Sequence, residues 1–241
     1  MTDEIFRRFE RTALLLGEEN LNKLADSSVL IFGLGGVGGY ALEALARAGI
    51  GNFTIVDGDK VDITNINRQI IAADGTVGKM KAAAFEERIR KINPSCTVKT
   101  VCDYYTAENS DIFDFSEYGY VVDAVDMVSA KLLIIEKAAA AGVPVISAMG
   151  TARKLDPTKL RIGDIYETRG CPLARVMRRE LRKRGIKSLN VVWSPEEPVL
   201  QNGNGGRGMP IGSVPFVPPV AGMYIAGKVI SDITEMGGLY G

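Results

Sequence analysis

The chain of 241 residues contains no histidine. That absence removes the side chain that most often serves as general base, nucleophile activator or transition-metal ligand. Any catalysis must then rest on phosphates, a hard metal ion and backbone groups. Cysteine is scarce too: Cys96, Cys102 and Cys171 form an odd set with no CxxC pair, which leaves neither a disulfide framework nor a four-cysteine zinc site. No run approaches the ~20 consecutive apolar residues of a membrane helix. The first residues, with Asp3 and Glu4, lack the basic and apolar regions of a signal peptide. A soluble cytoplasmic protein with no membrane partner is expected. Net charge is missing as well, since 29 basic and 29 acidic residues cancel. The cancellation hides a polarised chain, because residues 169–187 hold eight Lys or Arg against Glu180 alone. That excess of +7 is balanced by −7 elsewhere, and the positive region suits a polyanionic partner.

With 46 % hydrophobic and 24 % charged residues, the chain can bury a substantial core. Apolar residues at helical spacing over residues 4–25, interrupted at Gly17, predict two short helices within an N-terminal arm, residues 1–28. Apolar runs at 29–32, 53–56, 97–101, 120–122 and 143–147 alternate with helical stretches at 40–48, 79–92 and 131–141. Strands separated by helices of ~10 to 15 residues form βαβ units. Residues 29–150 are therefore expected to build an α/β, doubly wound, mainly parallel sheet, a Rossmann-like core. Residues 151–241 read as a C-terminal extension. In it, strands at 160–165 and 189–192 flank a basic helix begun by Pro172, and a glycine-rich loop comes next at 203–212. Pro215, Pro218 and Pro219 are expected to keep the next segment out of helix until 220–233, a buried closing helix.

The segment Gly33-Leu34-Gly35-Gly36-Val37-Gly38 has the form GxGGxG between an expected strand and an expected helix. Glycines there allow a tight turn, and backbone amides meet a phosphate at the helix N-terminus. Gly33, Gly35, Gly36 and Gly38 are thus candidate nucleotide contacts. Asp57, 24 residues after Gly33 and at the end of the second strand, suits ribose hydroxyls. These features alone would suggest NAD. The residues beyond Asp57 depart from a dehydrogenase: Asp59, Asn65, Asn67, Arg68, Gln69 and Lys81, then Asp123 and Asp126 past the fourth strand. Cations bind a triphosphate and stabilise the charge that develops as pyrophosphate leaves, and an aspartate holds magnesium. Arg68 and Lys81 are the candidate catalytic cations, with Asp59 and Asn65 beside them and Asp126 as candidate Mg²⁺ ligand. ATP is the expected nucleotide.

The ordered blocks Gly-Leu-Gly-Gly-Val-Gly, Val-Asp-Gly-Asp-Lys-Val, Asn-Ile-Asn-Arg-Gln, Val-Gly-Lys-Met-Lys and Val-Asp-Ala-Val-Asp resemble the signature of the ThiF/MoeB/HesA superfamily of ubiquitin-activating-like adenylyltransferases. The resemblance covers roughly residues 8–150. It implies a homodimer that binds ATP and Mg²⁺ and adenylates a carboxylate. By the same resemblance Gly35, Gly36 and Gly38 line the phosphates, Asp57 binds the ribose, Asn65, Arg68 and Lys81 contact the triphosphate, and Asp126 binds magnesium. The segment Arg8-Phe9-Glu10-Arg11 is similar to the family segment that lends an arginine to the neighbouring subunit's site, a role placed here on Arg11. Members that activate ubiquitin-like sulfur carriers usually carry two CxxC pairs; this chain has none, so a sulfur-carrier protein is the alternative rather than the expected substrate. The second half, with Cys171-Pro172-Leu173-Ala174 opening an arginine-rich helix and the run from Gly212 to Gly222, resembles the tRNA threonylcarbamoyladenosine dehydratases. That family uses ATP to activate the threonyl carboxylate of a modified adenosine beside the anticodon, and the ureido group closes a ring with loss of AMP.

Ring closure is intramolecular, and such reactions reach effective molarities of ~10⁵ to 10⁸ M, so the missing histidine is tolerable. Arg175, Arg178, Arg179, Arg182 and Lys183 cover much of the basic helix, with Leu173, Val176, Met177 and Leu181 for packing. This helix is expected to meet tRNA phosphate. Cys171 reads as a small residue at the helix start with Pro172 at the first helical position, and Cys96 and Cys102 as packing residues. Trp193 and Phe216 suit either a stack on a base or a place in the core.

Overall fold

Among the described residues seven strands, β1 (Ser28–Phe32), β2 (Asn52–Val56), β3 (Thr97–Val101), β4 (Tyr120–Asp123), β5 (Val145–Ala148), β6 (Arg161–Asp164) and β7 (Asn190–Trp193), form one sheet in the order β3-β2-β1-β4-β5-β7-β6. All neighbouring pairs are parallel except the edge pair β6–β7. The computed structural model describes residues 3–200 and 211–237, so the expected glycine-rich loop lies outside the described residues up to 210. The doubly wound α/β expectation holds, because β1 and β4 are almost wholly buried apolar runs, as parallel strands covered on both faces require. The strands expected beyond residue 150 join this same sheet as β6 and β7.

Among the described residues seven helices cover the sheet: α1 (Asp3–Leu16), α2 (Glu18–Asp26), α3 (Gly38–Ala48), α4 (Lys81–Ile92), α5 (Val128–Ala141), α6 (Pro172–Lys183) and α7 (Val217–Ile233). Gly17, at φ +87°, breaks α1 from α2, and Gly49 and Gly142 end α3 and α5 in the left-handed conformation. Helix α7 begins at Val217, three residues before the expected start. Pro218 and Pro219 fall in its first turn, where an amide would have no intrahelical acceptor and proline is tolerated. Gly222 lets α7 lie against α3, since a Cβ there would stand 2.4 Å from the Val37 carbonyl oxygen. No helix among the described residues is long and apolar enough to cross a membrane. Cys96 is buried, as expected of a packing residue, and burial pushes its thiol up to about 12. Cys102 is exposed instead, because it lies just past the end of β3 and outside the core.

A charged clamp joins α3 to α4. Glu43 is buried, accepting from Arg88 Nε at 2.6 Å and from Arg47 Nε at 2.8 Å. Burial pushes its carboxyl up, but the bonds from Arg88 and Arg47 prevail and leave its pKa below the ordinary 4.5. Glu43→Gln should cost about 1.5 kcal/mol at neutral pH, because hydrogen bonds to a charged group are weakened while Arg88 and Arg47 reach solvent and stay hydrated. A depressed folded pKa gives this contribution in full above pH 4.5 and withdraws it as pH falls through the folded value. Urea midpoints of parent and variant should therefore converge only below that pH.

Candidate active site

The strand order reverses between β1 and β4, and in open α/β sheets ligands bind at the carboxyl ends of strands at such a point. The glycine loop leaves β1 here, and the turn with Asp126 leaves β4. The two turns are pressed together. Gly33 has φ +86°, and a Cβ on it would meet the Ala124 carbonyl at 2.7 Å; a Cβ on Gly38 would meet the Gly33 oxygen at 1.8 Å. These two glycines are needed by the fold itself. Gly35 and Gly36 face the opposite way, toward the Gln69 amide (3.8 Å), Pro218 Cβ (3.2 Å) and Arg68 Cγ (3.6 Å). Helix α3 starts at this loop and brings the positive end of its dipole.

Acidic groups border the loop. Asp57 accepts from the Leu34 amide at 2.6 Å and the Asp59 amide at 2.8 Å, so it fixes the glycine turn and its own strand end together. Burial pushes the Asp57 carboxyl above 3.8, opposed by the Lys81 charge and the two amides. Lys81, the first residue of α4, is only 4 % exposed and bonds Asp59 at 2.7 Å. Asp59 also accepts from the Tyr104 hydroxyl at 2.5 Å. Burial raises the Asp59 pKa, while Lys81 and Tyr104 outweigh it and leave it below 3.8. The bond to Asp59, with the further charges of Asp57 and Asp126, pushes Tyr104 up to about 12. The structure thus brings Asp57, Asp59, Lys81 and Asp126 around Tyr104, a residue that no sequence motif marks. Its aromatic type carries no signal; only its packing on Gly58, where a Cβ would stand 2.8 Å from the ring, distinguishes it.

Residues 62–69 fold over the other side. Asn65 is buried, its side-chain oxygen closing a capping box with the Asp62 amide at 3.1 Å. Arg68 donates to the Thr64 carbonyl at 3.0 Å and to Asn67 Oδ1 at 2.8 Å, and Asn67 reaches the Ser213 carbonyl at 3.2 Å. Gln69 is buried and its Oε1 has no partner among the described residues. A buried acceptor left unpaired beside Gly35 is the kind of orphan a ligand hydroxyl satisfies, so the cradle fits a nucleotide. Asp126 is exposed, which suits an ion that is held through one or two carboxylates plus substrate phosphates. No group of three metal-ligating side chains occurs among the described residues.

Asp123 is not a solvated loop residue. It and Lys131 are both 0 % exposed, joined at 2.9 Å, with Ser147 Oγ donating to the same carboxylate at 2.5 Å and Lys131 also donating to the Ala148 carbonyl at 2.7 Å. The other Asp123 oxygen accepts from the Val125 amide at 3.2 Å, one residue before Asp126. Arg11 is exposed on α1 and makes no hydrogen bond or ion pair among the described residues. Helix α6 lies apart, packing Ala174, Met177 and Leu181 into a cluster with Cys171, Trp193, Leu132 and Ile135. Trp193 is therefore a core residue, while Phe216 is half exposed. The five basic residues of α6 differ: Arg178 is tied to the Thr168 carbonyl at 2.8 Å, Arg179 and Lys183 pair with Glu180, Arg182 lies over the Tyr166 ring, and Arg175 is exposed.

Comparison with known proteins places this geometry. The model of the ThiF family matches residues 9–228. A tRNA threonylcarbamoyladenosine dehydratase of Bacillus subtilis is 41 % identical over 96 % of this chain and 96 % of its own length. The crystal structure of the Escherichia coli tRNA N6-threonylcarbamoyladenosine dehydratase in complex with AMP superposes with TM-score 0.90 at 34 % identity, covering 98 % of this chain and 97 % of that one. The same enzyme in complex with ATP gives TM-score 0.90 at 33 % identity, covering 100 % and 99 %.

Lys131→Met should cost about 3 to 5 kcal/mol, because it strands a buried carboxylate. Combining it with Asp123→Asn should recover much of that loss in urea denaturation. Additive costs in the double variant would show the two groups to be uncoupled.

Proposed function

The chain belongs to the ThiF family, and from that membership we propose that it is an ATP-dependent enzyme that cyclises N6-threonylcarbamoyladenosine in tRNA. The observation that carries the reading is similarity to the dehydratases along the whole chain, second half included. The glycine cradle with Arg68 and Lys81 beside it supports ATP as the nucleotide. A sulfur-carrier protein is the weaker reading, since the three cysteines include no CxxC pair.

The chemistry is governed by charge. The threonyl carboxylate attacks the α-phosphorus of ATP, forming an acyl adenylate and releasing pyrophosphate. Two anions must approach, and catalysis consists largely of quieting that repulsion. Arg68 and Lys81 supply cationic donors, the α3 N-terminus a partial positive charge of about 0.5, and the amides around Gly35 and Gly36 preset dipoles. Asp57 is the acceptor for the ribose, and Asn65 lies beside the triphosphate. Asp126 would hold Mg²⁺, which when bound offsets phosphate charge. The ureido group of the same nucleoside then attacks the activated carbonyl; its proton and AMP leave, and the net change is loss of water. Positioning replaces a strong base in this step. Leu14 and Leu15, each 82 % exposed on α1 beside Arg11, support a homodimer in which that arm reaches the neighbouring subunit. The substrate class implies work in the cytoplasm, and the basic helix α6 is the proposed tRNA contact.

Incubation with ATP and tRNA should release pyrophosphate and yield the ring-closed nucleoside, whereas ATP with a carrier protein ending in Gly-Gly should not; the reverse pattern would select the sulfur-carrier reading. Asp126→Ala should abolish substrate-dependent pyrophosphate release at unchanged thermal stability, because the exposed carboxylate contributes little to packing. Cys171→Ser should keep most cyclisation activity, since ring closure supplies its own nucleophile; loss of turnover with normal tRNA binding would point to a thioester.

A further inference from the structure

The cations of α6 are not equally available. Glu180 accepts from Arg179 Nε at 3.0 Å, Lys183 Nζ at 2.9 Å and an Arg184 nitrogen at 3.1 Å, and Arg184 also pairs with Glu136 at 3.1 Å. Those bonds hold the Glu180 carboxyl down at about 2. Arg178 is committed to the Thr168 carbonyl and hydroxyl. Of the other cations, Arg169 and Arg175 are exposed at the start of the helix, and Arg182 and Lys187 lie at and past its end. Arg182 lies 5.0 Å from the centre of the Tyr166 ring, whose hydroxyl donates to the Ile186 carbonyl. Gly185, at φ +72°, turns the chain so that the Ile186 amide bonds back to the Leu181 carbonyl at 3.1 Å and Lys187 comes round beside Arg182. Tyr166, Arg182, Gly185, Ile186 and Lys187 line a shallow, open recess of about 390 Å³. Its lining has two exposed cations, one aromatic ring and no carboxylate.

We propose that this recess at the end of α6, formed by Arg182, Lys187 and the Tyr166 ring, seats a phosphate-bearing nucleotide of the tRNA and is the main docking point of the basic region. The inference rests on the tRNA reading above and narrows it from a whole helix to one site. The C-terminal end of α6 places a partial charge of about −0.5 near the recess, and two full positive charges outweigh it. Tyr166 holds the Arg182 guanidinium in place by a cation–π contact, so the donors are presented rather than left to search. An arginine plane so held also suits stacking on an unpaired base. The Glu180-bound cations, already neutralised in part, contribute mainly to the surrounding field.

Filter binding of tRNA across a salt series tests the site with two charge-matched pairs of substitutions. Each lost phosphate contact flattens the slope of log affinity against log salt by ~0.7 to 0.9. Arg182→Gln with Lys187→Gln should flatten it by ~1.4 to 1.8, while Arg179→Gln with Lys183→Gln should change it by less than half as much. All these side chains are at the surface, and an unchanged rise in melting temperature on adding ATP checks that each variant is folded. Equal or larger effects from the Glu180-bound pair would overturn the proposal, as would an unchanged slope for the recess pair. If the parent protein fails to bind tRNA at all, the tRNA reading itself falls, an outcome distinct from either.

Discussion

The bond between Asp123 and Lys131 is the constraint on which the site's geometry depends. Neither group touches water, and a buried carboxylate or ammonium is tolerable only when paired and hydrogen-bonded. Here the ammonium spans the ends of two strands, reaching Asp123 at the end of β4 and the Ala148 carbonyl at the end of β5, while Ser147 takes a further lone pair. With one carboxylate oxygen so engaged, the second is left to orient the Val125 amide. The turn toward Asp126 is therefore set by a polar network beneath it. Because Gly33 presses against the same turn, the glycine loop inherits its position from that network as well.

Above this base, charge is arranged before any ligand arrives. Lys81 is the buried cation of the cradle, and Asp59 neutralises it. Tyr104, whose hydroxyl stays protonated up to about 12, remains a donor to Asp59 at every ordinary pH. Asp59 thus accepts from two groups at once, and its hold on Lys81 is shared. Arg68 is held differently, by the neutral acceptors Thr64 and Asn67, and pairs with no carboxylate among the described residues. A triphosphate would meet one cation already paired and one that is not. Preorganised dipoles and charges of this kind need little rearrangement at the moment of reaction.

The fold and the glycine turn were legible in the sequence because their signals are local. Apolar runs a few residues long, glycines at a strand-to-helix turn and an acid at the next strand end each depend on neighbours in the chain. Lys131 was not legible: an isolated lysine within an alanine-rich helix reads as solvent-facing, and only the sheet places Asp123 opposite it. Tyr104 failed for the same reason, since its partner Asp59 is 45 residues away. The start of α7 misled because the penalty for proline depends on position, being severe inside a helix and small in its first turn. Along α6, residue type gave the number of cations correctly. Which of them Glu180 and Thr168 occupy is a matter of side-chain geometry that composition does not contain.

A chain without histidine has to obtain its rate from placement. Under the proposed function this is no handicap, because the two bond-forming steps ask for charge compensation and proximity rather than for a strong base. The first joins two anions, where fixed cations and helix dipoles act directly on the barrier. The second joins groups on one nucleoside, where the entropic cost has largely been met by covalent linkage. Both requirements favour a rigid scaffold over titrating side chains. The buried network at the ends of β4 and β5, the glycine contacts too tight for a Cβ and the clamp between α3 and α4 supply that rigidity. Substrate recognition then has to deliver one nucleoside of a large polyanion to the cradle, a task that falls to a basic surface outside it. Under that reading the +7 excess of residues 169–187 against the −7 of the remainder would be a division of labour: a net acidic core pairs its buried cations to hold a compact site, and the basic region would attract the substrate's backbone.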